Sequence, residues 1–475
     1  MGKCSGTVLL ERDMEMAPKG MYQNFADSFV CVVRGVIMQA SCAWKKLFTK
    51  KHLIEHYVEK IKYRPSVGLD KVSPKKFEAA LKENLDIIIR KVKNGSYHFT
   101  RYKQLLFTKG PGKPPRQVCV PTLRDKLTAS VLNELLVGVY GDECKTRLPQ
   151  LIIDDITKEI RKYEYFIKLD MQSFYGSINQ DKLIKIIRKR IRKAEIISLI
   201  ENSIKTEALA YPVKEKMKEK ERSIGIPEGL SISNALANIY MSNVDQKYRN
   251  MDFISYYRYV DDILILVNED DVSYVKGEFF EDIKALGLKF SDNKKDKGLI
   301  RDSAIEYLGY VISDDKVTVR ESSRLKIEQS IEELFRTIKK DNIGYLQWKL
   351  NLKITGFVLN KHKYGWLFFY SQITDESLLF HLDDVVKKLV KRYNIEDKIK
   401  VKRFVRSFWE MHMALHDTKY IPNLDNLNLE DKKKILSDIY QIDLSSKDEK
   451  FIEMQFQKIM KREIRNIERD IENIS

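Results

Sequence analysis

Hydrophobic and polar positions recur along this chain with two different periods, and the switches between them outline its organisation. Tyr165-Phe166-Ile167-Lys168-Leu169 reads as a strand that ends at Asp170. An aromatic turn follows, Met171-Gln172-Ser173-Phe174-Tyr175-Gly176-Ser177-Ile178. A helix then begins near Asn179, a residue suited to the N-cap, with Leu183, Ile186 and Ile187 at helical spacing. Two further apolar runs, residues 253–258 and 263–267, read as the strands of a hairpin with Tyr259-Val260-Asp261-Asp262 between them. Residues 46–150 mix helices over 52–63, 75–92 and 123–140 with strands around 104–107 and 116–120. Between those strands Lys109-Gly110-Pro111-Gly112-Lys113-Pro114-Pro115 forms a turn-rich tip. From about residue 321 the pattern is overwhelmingly helical, as in 324–339, where Leu325, Ile327, Ile331, Leu334, Phe335 and Ile338 share a face. The densely charged stretch 449–474 reads as an amphipathic helix docked by one side.

These patterns divide the chain into an N-terminal extension (1–45), a mixed unit (46–150), a strand-and-helix unit (151–320) and a helical C-terminal region (321–475). The fold class is α+β. With 475 residues, 43% of them hydrophobic, the chain has material for two or three substructures with sizeable cores. No tandem repeat or long low-complexity tract interrupts it.

Charge narrows the partner. The 85 Lys and Arg against 68 Asp and Glu give a formal charge of +17, which suits a polyanion, although a merely soluble basic surface has the same total. Clustering favours nucleic acid. Arg188, Lys189, Arg190, Arg192 and Lys193 lie on one predicted helix. A second cluster runs from Lys387 to Arg406 and includes Tyr393 and Phe404, with Phe408 and Trp409 just beyond. Basic groups track phosphates while aromatic faces stack on bases, though half or more of these rings are expected in the core. The five cysteines form no Cys-x-x-Cys pair, so a reducing cytoplasm is the default setting. Residues 25–44 are fairly apolar but carry Asp27 and Arg34, and no stretch approaches 18 uncharged apolar residues, so no membrane partner is expected. Position 6 is Gly rather than the Ser or Thr of a myristoylation signal. This segment reads as a short helix packed on the unit that follows, a true start near Met21 or Met38 being the alternative.

The chemistry lies in the carboxylates. In a plain strand neighbouring side chains face opposite ways, but at a hairpin tip Asp261 and Asp262 can project to one side. Paired anions repel unless a cation lies between them, and hard divalent ions take oxygen ligands. Asp170, at a strand end, supplies a third carboxylate. Three such groups around two ions roughly 3.5–4 Å apart suit phosphoryl transfer, activating a hydroxyl and stabilising the leaving oxygen. Each feature alone also fits a plainer reading, a polar turn for Asp261-Asp262 and a strand-ending cap for Asp170.

In order and spacing, residues 166–178, 225–240 and 256–266 resemble the core palm motifs of reverse transcriptases. Upstream, Val67-Gly68-Leu69-Asp70-Lys71-Val72-Ser73 and residues 107–125 look like fingers motifs of the group II intron and retron branch. Downstream, 286–294 and 305–312 look like its later palm motifs, so the likeness covers roughly residues 50–320. Ile354-Thr355-Gly356 and residues 364–373, Tyr-Gly-Trp-Leu-Phe-Phe-Tyr-Ser-Gln-Ile, look most like the bacterial defence-associated, unknown-group reverse transcriptases. The resemblance implies a right-hand polymerase, with fingers over 46–150, a palm of antiparallel sheet and helices over 151–320, and an all-helical thumb and C-terminal region from 321.

The same resemblance implies roles. Asp170, Asp261 and Asp262 would be catalytic and hold Mg2+, or Mn2+. Lys109 and Arg116 would hold the outer phosphates of a deoxynucleoside triphosphate, with Arg124 a weaker candidate for which pairing with a carboxylate is the alternative. Tyr175 would block a ribose 2′-hydroxyl, core packing beside Phe174 being the plainer reading. Gly229, in Gly225-Ile226-Pro227-Glu228-Gly229-Leu230-Ser231-Ile232-Ser233-Asn234, would lie at the nucleotide; the family usually has Gln at Glu228 and Pro at Ser233. Lys294 would donate a proton to pyrophosphate, with Lys295 and Lys297 close by. Leu308, Gly309 and Tyr310 would form the primer grip, unless Gly309 is only a strand bulge.

The expected protein is therefore a cytoplasmic RNA-directed DNA polymerase in antiphage defence. A structured non-coding RNA would be template or partner, and DNA the product. Nothing in the sequence speaks to oligomeric state. Protein-primed or template-independent DNA synthesis stays open because of Glu228, Ser233 and the 24 tyrosines. A group II intron maturase is a third option, although the lack of a recognisable Cys- and His-bearing endonuclease module disfavours a full retrohoming enzyme. An RNA-binding scaffold with a degenerate polymerase fold would need the three aspartates to be vestigial.

Overall fold

A computed structural model, which describes residues 38–62, 66–108, 115–210, 221–291, 296–337 and 342–471, gives the strands and their pairing. In chain order the first six are β1 (Tyr102–Phe107), β2 (Arg116–Val120), β3 (Tyr165–Asp170), β4 (Ala208–Ala210), β5 (Ile254–Tyr259) and β6 (Asp262–Val267). The rest are β7 (Asp296–Leu299), β8 (Ile305–Tyr307), β9 (Tyr310–Ile312), β10 (Val317–Val319), β11 (Phe357–Leu359) and β12 (His362–Tyr364).

The N-terminal half is organised by the helix Leu123–Tyr140, which Thr122 caps by accepting from the amide of Asp125. Leu127, Val131, Leu132, Leu135 and Leu136 are fully buried, so this helix is a core element wrapped by others. Of the apolar N-terminal segment, the described end forms the helix Ala40–Leu47, with Trp44 and Leu47 buried. Met38 donates its amide to Gly138 of the central helix at 2.9 Å. Beside these helices lies the sheet β2–β1–β4, whose β1–β2 hairpin runs outward until Leu106 and Phe107 are exposed.

The central sheet has the order β5–β6–β3–β7, with each neighbouring pair antiparallel. All six residues of β6 are buried. Alternation sends Ile263, Ile265 and Val267 into one core, with the helices Gln180–Arg188, Ser233–Arg249 and Val272–Leu286. Leu264 and Leu266 enter a second core with the helix Pro149–Glu159 and the meander β8–β9–β10. A strand walled on both faces reads as a continuous apolar run, which is what Ile-Leu-Ile-Leu-Val is.

Beyond residue 321 the chain is helical, as expected, apart from the hairpin β11–β12. That hairpin explains the two segments singled out there. Phe357 pairs with Tyr364. Gly356 and Gly365 then stand so close that a Cβ on Gly365 would lie 2.6 Å from the Gly356 Cα. Only glycines allow this approach. The last helix, Glu449–Glu468, buries Ile452, Phe456, Ile459 and Met460, as an amphipathic docked helix should. It also carries Glu463, whose buried carboxylate pairs with Lys349.

Candidate active site

Asp170 ends β3 and Asp262 begins β6, and the register places them directly opposite each other. Opposed residues of an antiparallel pair share a face, with Cβ atoms about 4.5–5.5 Å apart. Both are buried, at 8% and 7% exposure. Asp261 sits in the two-residue turn between β5 and β6, and its carbonyl accepts from the Met171 amide at 3.1 Å. The three predicted aspartates therefore lie together at one end of the central sheet.

They do not collapse onto one point. Among the described residues only His52, His56 and Glu134 bring three such ligand atoms within 4.8 Å of one another. Separation is what like charges favour, and two ions roughly 3.5–4 Å apart need ligands spread over a comparable width. The donor set, oxygen only, fits Mg2+ or Mn2+.

The turn is held under backbone strain. Val260 has φ of 58°, while Asp261 does not share that positive value, the pattern of a type II′ turn whose first residue is usually Gly. A β-branched residue here is a real outlier. Arg258 fixes it: its Nη1 donates to the Val260 carbonyl at 2.8 Å. The same guanidinium donates to Asp245 through Nε at 2.7 Å and to Asn238 at 3.1 Å. Burial opposes its charge, but the Asp245 carboxylate outweighs this and holds Arg258 protonated.

Asp170 is oriented by Ser291, whose Oγ donates to Oδ2 at 2.8 Å and whose amide donates to the Asp170 carbonyl at 2.8 Å. On the other flank the Tyr307 hydroxyl donates to the Asp262 carbonyl at 3.1 Å. Ser291, Arg258, Asp245 and Tyr307 escaped the sequence reading. Only Arg258 left a signal, a charge inside the mostly apolar run 253–260, whereas Asp245 lies among Asn243, Gln246 and Lys247.

Tyr175 is buried against Phe174, with ring centroids 5.6 Å apart, and its hydroxyl donates to Asn234. Burial, then the nearby charges of Asp261 and Glu228, push its hydroxyl pKa up, so it stays a donor. Packing and proximity to the carboxylates thus hold together at this position. The 225–229 loop lies over the same turn, with Ile226 donating to the Tyr175 carbonyl at 2.8 Å. Gly229, at φ of 94°, is pressed on β2, where a Cβ would meet Val118 at 2.6 Å. Next to it, Glu228 accepts from Arg116 Nε at 2.8 Å. Among the described residues Arg124 pairs with no carboxylate: it donates to the Asn84 side-chain oxygen, on the helix Leu81–Lys93, from Nε at 3.0 Å and Nη2 at 2.8 Å. Lys109 and Lys294 lie outside the described residues.

Leu308 and Gly309, with φ of 50° and 83°, are the two central residues of the β8–β9 turn. Gly309 is therefore a hairpin residue and not a bulge. Leu308 and Tyr310 are buried, so the hairpin tip offers mainly backbone.

Residues 49–312, more than half of the chain, match the family described as reverse transcriptase (RNA-dependent DNA polymerase). The chain belongs to the reverse transcriptase family. It is similar, at 25% identity over 172 residues, to the group II intron-encoded protein LtrA of Lactococcus lactis, covering 34% of this chain and 28% of that protein. With the retron Ec83 reverse transcriptase of Escherichia coli it shares 32% identity over 111 residues, 23% of this chain and 34% of the other. An uncharacterized 91 kDa protein in a cob intron of Schizosaccharomyces pombe is 24% identical over 205 residues, 40% of this chain and 24% of that one. The matches thus span about a quarter to a third of these relatives' lengths. Among solved structures, telomerase from Candida albicans with a fragment of telomeric RNA aligns loosely, with a TM-score of 0.45 and 10% identity over 80% of this chain and 69% of the other. The matched region ends at β9 and includes every predicted site residue.

Proposed function

We propose that this chain is an RNA-directed DNA polymerase that adds deoxynucleotides to a primer 3′-hydroxyl on an RNA template. The observation that carries the reading is the direct opposition of Asp170 and Asp262, with Asp261 in the adjoining turn. Asp170, Asp261 and Asp262 would hold two divalent ions, which when bound supply activation of the attacking hydroxyl and stabilisation of the leaving oxygen. The chain's own groups do the positioning. Ser291 orients one Asp170 oxygen, and Arg258 keeps the Asp261 turn in place. Arg116 offers a guanidinium fork to the triphosphate's outer phosphates. The Tyr175 ring, braced by Phe174 and Asn234, fills the space a ribose 2′-oxygen would need. The turn Leu308-Gly309 presents backbone to the primer end.

The finer setting is part of the same proposal: antiviral defence in a bacterial cytoplasm, with a structured non-coding RNA. Its support is the likeness of 354–356 and 364–373 to defence-associated enzymes, two segments that pack together around Gly356 and Gly365. Free Cys42, Cys119 and Cys144 agree with a reducing compartment.

The test is incorporation by the purified chain, with and without its co-purifying RNA, on a primed RNA with magnesium and deoxynucleotides. No incorporation in either arm rejects the proposal. DNA joined covalently to a tyrosine would move the reading to protein-primed synthesis. Full biological activity in an Asp261→Ala, Asp262→Ala double variant would favour the scaffold.

A further inference from the structure

Outside the carboxylate site, one cluster of metal-binding side chains is built between two helices of the N-terminal half. His52 and His56 lie four residues apart on the helix Lys50–His56, so they share a face. Ser130 and Glu134 stand at the same spacing on the helix Leu123–Tyr140, opposite them. His52 Nε2 lies 2.9 Å, and His56 Nδ1 3.1 Å, from the same Glu134 oxygen, Oε2. The far nitrogen of His56, Nε2, is 2.7 Å from Ser130 Oγ.

We propose that His52, His56 and Glu134 form a zinc site that staples these two helices together, with water as the fourth ligand. Three features carry the assignment. The first is convergence, since two imidazole nitrogens and one carboxylate oxygen face a common point from two separate elements. The second is scale. Ligands at about 2.0–2.1 Å from a tetrahedral ion stand roughly 3.3 Å from one another. The two nitrogen–oxygen separations here fall only a few tenths of an ångström short of that, so a small carboxylate rotation opens the site. The third is outer support. Ser130 engages the His56 nitrogen that faces away, which leaves Nδ1 turned to the centre, as orienting partners of metal-binding histidines do.

Donor chemistry chooses the metal. Two imidazoles with one carboxylate suit zinc, whereas magnesium and calcium prefer oxygen alone. Partial burial agrees with an ion that is held between the helices and reached from solvent. His56 is 8% exposed, while His52 and Glu134, at 23% and 33%, leave an entry path and room for the water. The proposal is independent of the polymerase reading, because it shares no residue with the aspartates.

The experiment uses the full chain, stripped with chelator and titrated with zinc alone against a chromogenic chelator. One tight equivalent is expected, with a rise in melting temperature of about 3–6 °C on loading. Cobalt in place of zinc should give the intense visible absorption of a tetrahedral centre. His52→Ala and Glu134→Gln should each weaken binding by more than about 100-fold, and Ser130→Ala by roughly 10-fold, with far-ultraviolet circular dichroism confirming that the variants fold. The Asp261→Ala, Asp262→Ala variant should keep the equivalent. No tight equivalent in the stripped protein, or unchanged affinity in His52→Ala and Glu134→Gln, would overturn the site and leave a hydrogen-bonded helix contact. Loss of the equivalent in the double aspartate variant would overturn it too, by placing the zinc at the other carboxylates.

Discussion

Arg116 and Glu228, 112 residues apart in sequence, are joined by a 2.8 Å ion pair between the outward hairpin and the loop over Tyr175. The guanidinium proposed to grip the triphosphate therefore already holds a carboxylate. Incoming phosphates must compete with Glu228, and a glutamine there would offer a weaker acceptor. The pair is partly exposed, so its contribution is about 0.2–1 kcal/mol. Glu228→Gln should accordingly lower the KM for deoxynucleotides by up to roughly 5-fold, with kcat little changed. Arg116→Ala should raise it by about 10–100-fold, the loss of a hydrogen bond to a charged group. Steady-state kinetics on one primed template checks both, and a Glu228→Gln KM equal to or above wild type would contradict the competition.

Substituting Asp170, Asp261 or Asp262 with Asn should reduce incorporation by more than about 100-fold, beyond the cost of losing an outer-shell partner. Melting temperatures should hold or rise, since each change relieves repulsion between converging anions. Ser291→Ala, which removes one donor to Asp170, should cost roughly 10-fold. Chelation should abolish activity and magnesium restore it. Primer extension beside thermal melts separates loss of chemistry from loss of fold.

Tyr175→Ala should erode discrimination against ribonucleotides by about 10–100-fold, because a filled space becomes open. Tyr175→Phe removes only the bond to Asn234 and should retain most of the discrimination. The ratio of kcat/KM for matched deoxy- and ribonucleotides reads this directly. Equal ratios in Tyr175→Ala and wild type would return Tyr175 to the role of core packing.

Asp245→Ala should destabilise the fold by about 3–5 kcal/mol, since it strands the buried Arg258 charge. Urea unfolding measures this. Activity should fall as well, because the Val260 carbonyl loses its fixed donor.

Much of this was legible in the sequence. Strand β3, the β5–β6 hairpin and the Asn179 cap follow from local patterns, and the structure has Asn179 accepting from the Lys182 amide as a cap should. Leu308-Gly309 stands out only through the resemblance to a primer grip, because its hairpin geometry depends on the pairing of β8 with β9. Ser291 gave no signal, because its role comes from the bridge of Phe290 to Met171, more than a hundred positions earlier. The Arg116–Glu228 pair and the approach of Glu134 to His52 and His56 are likewise products of tertiary contact. Local periodicity records which face a residue occupies, and it is silent on what the fold brings to that face.

The two-sided burial of β6 settles why two acids tolerate such closeness. Each aliphatic side chain it buries contributes roughly 1.5–3 kcal/mol, whereas facing carboxylates at about 5 Å oppose each other by only about 3 kcal/mol. Slipping the strand by one residue would swap its two apolar sets between the cores, so the grease decides the alignment and the anions must follow. The placement of the carboxylates is inherited from residues with no chemistry of their own. The strand ends form a socket that would survive even if every acid in it were replaced.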